Sequence, residues 1–180
     1  TRLWNNNTLP DVLQRYVDCV RAMHTDENLV WYPGSPAIAR YILRDIDRLS
    51  LFELHPGDFA MLEQWAGTDR RIHVRNTNGF ESLIGALPPA EKRALVLIDP
   101  PYEIKSDYIS MSAVLHAALK RFATGVYIVW YPLLARPEVG QMTRKMRAFK
   151  DLRWLSAELH IDKPADKGMF GSGVFVINPP

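Results

Sequence analysis

The sequence contains a single cysteine, Cys19, no apolar run long enough to cross a membrane, and no large excess of either charge. One cysteine cannot form an internal disulfide, which argues against a disulfide-stabilised extracellular domain. The formal net charge of +2 argues against a disordered acidic tail or a strongly basic nucleic-acid-binding arm. Because no signal-peptide pattern opens the chain either, we expect a cytoplasmic protein that binds no membrane.

The apolar content is sufficient for a sizeable core, since 47% of the 180 residues are hydrophobic. From about residue 49 onward, short apolar segments typical of strands alternate with segments of helical periodicity. The predicted strands cover 49–55, 71–76, 93–99, 125–132, 153–161 and 172–179, and the predicted helices cover 57–66, 79–86, 107–123 and 137–150. This alternation predicts an α/β fold with a mainly parallel sheet, in which the last two strands form an antiparallel edge hairpin.

Two further helices are predicted in the N-terminal part of the chain. Thr8 is the expected N-cap of the first helix, with Pro10 in its first turn. Ser35 is the expected N-cap of the second, which Pro36 opens and which extends to about Asp47. Four aromatic residues in the chain are expected to form core or pocket wall: Trp31, Tyr32, Trp130 and Tyr131.

The segment LVLIDPPYEIKSDY indicates where function is to be sought. The apolar residues 94–98 predict a strand covered on both faces, as in a parallel sheet. Asp99 follows at the carboxyl end of this strand, which is the edge where open α/β sheets bind their ligands. Pro100 and Pro101 cannot continue a β-ladder and stiffen the exit from it. The pattern therefore predicts that Asp99 and Tyr102 project over a pocket.

This set of groups suits a planar primary amine attached to an aromatic ring. The Asp99 carboxylate and the Pro100 carbonyl are hydrogen-bond acceptors, and Tyr102 offers a ring for stacking. Such an amine is a poor nucleophile because its lone pair is delocalised into the ring. Two fixed acceptors stabilise the charge that develops on its nitrogen during attack, and Asp99 can also help to remove the proton.

The motifs YPGSP, ELHP, LIDPPYE, KRFATG, WYP and INPP occur in this order and spacing in the RlmJ-type bacterial methyltransferases. The sequence resembles that family over nearly its whole length. The resemblance implies a Rossmann-like fold, S-adenosylmethionine as the cofactor, and methyl transfer to N6 of an adenine in 23S rRNA. We expect 23S rRNA as the partner of a monomer, and no metal, because no spacing of His, Cys, Asp and Glu suggests a metal site.

The resemblance also implies roles for individual residues. Asp99 is the catalytic residue, Pro100 is the second acceptor for the amine, and Tyr102 is the face on which the substrate base stacks. Glu53, at the tip of the LSLFE strand, is expected to bind the cofactor ribose, a role that suits an acid in this position. The other expected cofactor-binding residues are Ser35, Asn78, Gly79 and Asp99, where Asn78 replaces the aspartate of the family and keeps an acceptor without its charge.

A basic loop with an apolar tip lies between the last two predicted strands. Its Lys163 and Lys167 are candidate RNA-binding residues, because lysines contact phosphates and the loop tip carries Met169 and Phe170. The G-x-G at Gly171–Gly173 leads into a strand rather than a helix, so it is not expected to form a nucleotide-binding loop.

The family's first strand, which ends in a glycine-rich cofactor loop, has no counterpart in these 180 residues. The chain starts at Thr1 without a methionine and stops at Pro180 directly after a strand-like segment, so we expect a piece of a longer protein. Since the family places that strand between LSLFE and LVLID, we expect a gap there in the sheet. The expected organisation is a helical insertion or subdomain over 1–34 and an incomplete methyltransferase domain over 35–180.

Other functions are compatible with the same residues. Related D/N-P-P-Y motifs serve adenine-N6 methylation of DNA and methylation of protein glutamine, and the motif cannot separate these substrates from RNA. A third possibility belongs to another class. If the family's first strand is absent from the whole protein, the chain is a non-catalytic RNA-binding remnant.

Overall fold

A computed structural model describes residues 3–6, 8–24, 29–149, 152–161 and 168–180 of the chain. The described residues contain six helices and six strands, and their contacts divide the chain into two compact units, Thr1–Thr77 and Asn78–Pro180. The predicted boundary after residue 34 is not tested by this division and stays a prediction.

The first unit pairs two short strands and packs a small helical cluster. Strands β1 and β2 are parallel, with Leu49 opposite Ile72. Helix α1 buries Val17 and Val20 in a cluster with Trp4. The elements of this unit are α1 (Asp11–Arg21), α2 (Ser35–Ile42), β1 (Leu49–Phe52), α3 (Pro56–Ala66) and β2 (Ile72–Arg75).

The predicted caps of α1 and α2 are both wrong. The N-cap of α1 is Pro10, because the Thr8 hydroxyl is engaged with the Asn6 side chain at 3.0 Å and does not reach the helix. The N-cap of α2 is Gly34, and Ser35 is the first helical residue. Helix α2 also ends at Ile42, several residues before its predicted end.

The second unit contains the larger sheet, whose strand order is β3-β4-β6-β5. Strands β3 and β4 are parallel, whereas β6 is antiparallel to both β4 and β5. This arrangement confirms the predicted α/β class and the antiparallel hairpin at the sheet edge. The elements are α4 (Gly79–Ala86), β3 (Leu95–Ile98), α5 (Lys105–Arg121), β4 (Val126–Leu134), α6 (Pro137–Arg147), β5 (Trp154–His160) and β6 (Met169–Ile177).

The main core lies on one face of this sheet. Tyr127, Val129 and Phe175 are fully buried there among side chains of α4, α5 and α6. Alternation along β3 places Leu95 and Leu97 on the other face, where they are 64% and 48% exposed. The expectation that β3 is covered on both faces is therefore wrong for this structure.

The strands β1 and β3, which the resemblance places on either side of the expected gap, lie in different sheets. No described helix is both long enough and apolar enough to cross a membrane.

The four aromatic residues expected in core or pocket wall divide into two pairs. Tyr131 is fully buried and Trp130 is partly buried on β4, as expected. Trp31 and Tyr32 are 50% and 58% exposed, so the expectation is wrong for them.

Candidate active site at the end of strand β3

Asp99 stands directly after β3, whose last residue Ile98 pairs with Val129 of β4. The Asp99 side chain is exposed, and no hydrogen bond or ion pair reaches its carboxylate from the described part of the chain. Partial burial against the protein removes some hydration and raises the pKa of this carboxyl. The carboxylate is therefore an acceptor without a protein donor, at the sheet edge where the sequence predicts it.

Tyr102 does not project over a pocket. Its backbone has a φ of 54°, in the left-handed region that side-chain-bearing residues rarely adopt. This conformation turns its ring back into the core, where the residue is only 2% exposed. The hydroxyl donates a hydrogen bond of 2.7 Å to the Trp130 carbonyl of β4. The expectation that Tyr102 presents an open ring face is therefore wrong for this conformation.

Three aromatic rings pack together beneath the D-P-P-Y turn. The Tyr102 ring lies 4.7 Å from that of Tyr108 and 6.3 Å from that of Trp130, measured between centroids. Burial raises the pKa of Tyr102, and the negative charge of Asp99 raises it further. The Tyr102 hydroxyl therefore stays protonated and ties the turn to β4.

Asn78 and Gly79 lie at the start of α4, in the same unit as Asp99. The Asn78 side-chain oxygen accepts a hydrogen bond of 2.9 Å from the Phe80 backbone amide and so caps the helix. Its acceptor is thus engaged locally, and a cofactor contact from this residue stays a prediction.

Ser35 and Glu53 lie in the first unit. Ser35 is exposed in the first turn of α2, and Glu53 follows β1 at the strand tip where the sequence places it. One Glu53 carboxylate oxygen accepts a hydrogen bond of 2.8 Å from the His55 backbone amide. The Asn76 side chain donates to the Glu53 carbonyl at 2.8 Å, which fixes the backbone of this strand end. Their cofactor roles stay predictions.

The other residues singled out in the sequence are the two lysines between the last two strands and the glycines of the G-x-G. Lys163 and Lys167 fall in 162–167, which the structure does not describe. Gly171 and Gly173 are strand residues of β6, as their sequence context predicts. Within the described ranges, no group of three or more His, Cys, Asp or Glu side chains is placed to hold a metal ion.

The sequence patterns did not indicate a cavity of about 140 Å³ between α5 and α6. Its polar lining includes Lys105 and Tyr108 from α5 and Glu138, Gln141 and Lys145 from α6. Helical periodicity assigns Lys145 to a solvated face, and only the packing of the two helices brings it opposite Tyr108. The one local signal is the position of Tyr108 shortly after the D-P-P-Y motif.

Comparison with known proteins gives a consistent match over the whole chain. A family model described as Ribosomal RNA large subunit methyltransferase D, RlmJ, matches residues 1–180. The chain is 41% identical over 180 residues to Ribosomal RNA large subunit methyltransferase J of Escherichia coli (strain K12). It is 40% identical over 181 residues to the protein of the same name from Haemophilus influenzae. Each match covers 99% of this chain and 64% of the relative, so the chain spans about two thirds of their length.

A solved structure is also similar. A crystal structure of a Legionella pneumophila protein superposes with a TM-score of 0.92 at 36% sequence identity. The match covers 99% of this chain and 67% of that protein.

Proposed function

The chain belongs to the RlmJ family of ribosomal RNA large subunit methyltransferases, and from that premise we propose that the protein methylates N6 of an adenine in 23S rRNA. The observation that carries this proposal is the Asp99 carboxylate, which is exposed at the carboxyl edge of β3 and has no donor among the described residues. An acceptor held in this way is available to a substrate amine.

We propose that acidic residues of this chain contribute to the binding of S-adenosylmethionine. A cofactor with ribose hydroxyls and a cationic sulfonium calls for hydrogen-bond acceptors and negative charge. Glu53 supplies a carboxylate at the tip of β1, and Asp99 supplies another at the tip of β3. We propose Ser35, Asn78 and Gly79 as further contacts, on the basis of the family motifs. The cofactor supplies a methyl group on sulfonium sulfur, ready for transfer to a nucleophile.

In the proposed reaction, the chain's own groups act on the adenine amine. Asp99 and the Pro100 carbonyl each accept one N–H of N6, which orients the nitrogen and stabilises the positive charge that develops on it. The new bond joins N6 to the methyl carbon as the bond from that carbon to sulfur breaks. One N6 proton then leaves to Asp99 or to water, which restores the neutral amine.

A stacking role for Tyr102 requires a change from the conformation described here. Its ring has to leave the contact with Tyr108, and its hydroxyl has to release the Trp130 carbonyl. Stacking on a base is worth about 1–3 kcal/mol, and one hydrogen bond about 0.5–1.5 kcal/mol. Moving the ring out of the core also forfeits about 1.5–3 kcal/mol of burial, so stacking alone does not drive the exchange and other contacts with the RNA have to contribute.

The proposed substrate is an adenine in an unpaired or easily unpaired stretch of rRNA. In a duplex, N6 is hydrogen-bonded and the base is stacked, so Asp99 cannot reach it until the base leaves the helix. RNA is also recognised mainly at loops and unstacked ends, because its major groove is deep and narrow. We expect protein-free 23S rRNA to serve.

The test is methyl transfer from labelled S-adenosylmethionine by the full-length protein to 23S rRNA from cells that lack the gene, followed by nucleoside analysis. We expect labelled N6-methyladenosine from the wild type and none from Asp99→Ala. The control Asp11→Ala removes an exposed carboxylate on α1 and should retain activity. Parallel assays supply DNA or total cell protein in place of rRNA, and label on DNA adenine or on protein glutamine with none on rRNA would show that the proposed substrate is wrong. A wild-type protein that binds rRNA without transferring label would indicate a non-catalytic RNA-binding protein.

A further inference from the structure

The cavity between α5 and α6 carries a surplus of positive charge. Lys105 and Glu138, whose Nζ and Oε1 atoms are 2.9 Å apart, form an ion pair across the two helices. Lys145 also lines the cavity, is exposed, and has no ion-pair partner in the described part of the chain. Once Lys105 and Glu138 offset one another, the Lys145 charge is left over.

The first turns of both helices add to this positive potential. The N-cap residues, Ile104 of α5 and Arg136 of α6, provide no side-chain hydrogen bond to the helix. Backbone N–H groups of a first helical turn have no partner inside the helix, and they carry the positive end of its dipole. The carboxylates of Asp107 and Glu138 lie in these same first turns and offset part of this potential. The preference of the cavity for a negatively charged ligand therefore rests mainly on Lys145 and the nearby Arg136.

The Tyr108 hydroxyl is a second, independent indication of a ligand. Tyr108 lines the cavity and is 2% exposed, and its hydroxyl proton has no acceptor among the described residues. Burial raises the pKa of this hydroxyl, while the charge of Arg136 and a weak side-chain hydrogen bond from its guanidinium lower it. A guanidinium can only donate, so it does not accept the hydroxyl proton. Buried hydroxyls without a partner are uncommon because they lose their bonds to water without replacement. A ligand rich in acceptor oxygens supplies the missing partner.

The cavity lies against the aromatic packing beneath the D-P-P-Y turn. The Tyr108 ring that lines it is 4.7 Å from the Tyr102 ring of that turn, measured between centroids. We propose that the cavity binds a phosphodiester group of the RNA substrate, close along the strand to the target adenine, with Lys145 and the Tyr108 hydroxyl as donors. This inference rests on the proposed function and names a contact that positions the RNA.

The test compares three variants of the full-length protein for binding to a 23S rRNA fragment over a range of salt concentrations. For Lys145→Gln, we expect affinity to fall about three- to tenfold and the slope of log affinity against log salt to decrease by about 1. KM for rRNA should rise while kcat and the affinity for S-adenosylmethionine stay unchanged. Lys145→Arg should retain wild-type binding. The matched control Lys120→Gln removes an exposed lysine from the last turn of α5 and should also leave binding unchanged.

The outcomes separate this inference from the proposed function. If the wild type methylates rRNA but Lys145→Gln keeps wild-type affinity and salt slope, the inference is wrong and the proposed function stands. If Lys145→Gln changes binding of inorganic phosphate but not of rRNA, the ligand is free phosphate and the inference is again wrong. If the wild type neither binds nor methylates rRNA, the proposed function fails first and the inference fails with it.

Discussion

Replacing Gly173 by alanine should destabilise the protein, although the same change usually stabilises a strand or helix. Tyr131 of β4 and Glu158 of β5 both lie opposite Gly173 of β6, so the three residues form one row across the sheet. The Tyr131 side chain crosses above Gly173, and its hydroxyl donates to Glu158 at 3.1 Å. A Cβ at Gly173 would lie 2.3 Å from the Tyr131 Cζ atom. Position 173 therefore has to be glycine, because the Tyr131 ring occupies the space that a Cβ atom would need.

The magnitude follows from the movement that alanine demands. Ordinary contact begins at 3.4 Å, so the Tyr131 ring has to move by about 1.1 Å. Such overpacking costs about 1–3 kcal/mol, and losing the bond to Glu158 costs about 1 kcal/mol more. In the opposite direction, replacing a strand glycine by alanine stabilises the fold by about 0.5–1 kcal/mol, because the unfolded chain loses conformational entropy. We expect the free energy of unfolding to fall by about 2 kcal/mol.

The assay is urea denaturation of the full-length protein, with Gly140→Ala as the matched control. Gly140 is an exposed residue of α6, and a Cβ there meets no atom within 4 Å. That variant should gain about 0.5–1 kcal/mol because alanine favours the helix. In a Tyr131→Ala background, Gly173→Ala should no longer be destabilising. Wild-type stability of Gly173→Ala would refute the reasoning from ring contact.

Two further predictions concern the D-P-P-Y turn. Tyr102→Phe keeps the ring but removes the hydrogen bond to Trp130, so unfolding free energy should fall by about 1 kcal/mol. Methyl transfer by this variant should stay within about tenfold of the wild type, and a drop beyond that would make the hydroxyl part of the chemistry. Asp99→Asn keeps a hydrogen-bond acceptor but loses the negative charge, so methyl transfer should fall strongly without being abolished, and the variant should be slightly more stable than the wild type at pH 7. Because burial raises the Asp99 pKa above its ordinary value of 3.8, wild-type stability falls as pH rises through the interval between the two values. Denaturation below pH 3.8 should therefore show no difference between Asp99→Asn and wild type, and a difference that persists there would contradict the assigned cause.

The order and type of the elements could be predicted because they depend on local patterns. Apolar runs of strand length alternate with helical periodicity, and β5 and β6 are separated by too few residues for a parallel crossover, so they have to be antiparallel. Local patterns could not predict which faces of a strand are covered by other elements. The sequence of β3 is apolar at every position, yet Leu95 and Leu97 are exposed, since periodicity does not reveal which other elements reach a sheet face.

In the candidate site too, features that depend on neighbouring residues could be predicted, whereas features that depend on tertiary packing could not. The position of Asp99 at a strand end follows from the residues next to it, and the structure places it there. The direction of the Tyr102 ring depends on Trp130 and Tyr108, which only the folded chain brings to it. Likewise, the cavity between α5 and α6 combines Lys105 with Glu138, and nothing local connects those two positions.

The D-P-P-Y turn explains how one short motif holds an exposed acid in place. Neither proline has an N–H, so the chain must leave the β-ladder immediately after Asp99. The left-handed backbone at Tyr102 costs about 1–2 kcal/mol. Burial of the ring returns about 1.5–3 kcal/mol, and the hydroxyl bond to Trp130 adds to it. The strained turn thus persists because a side chain three residues away is anchored in the core, which leaves the Asp99 carboxylate free of contacts that would compete with a substrate amine.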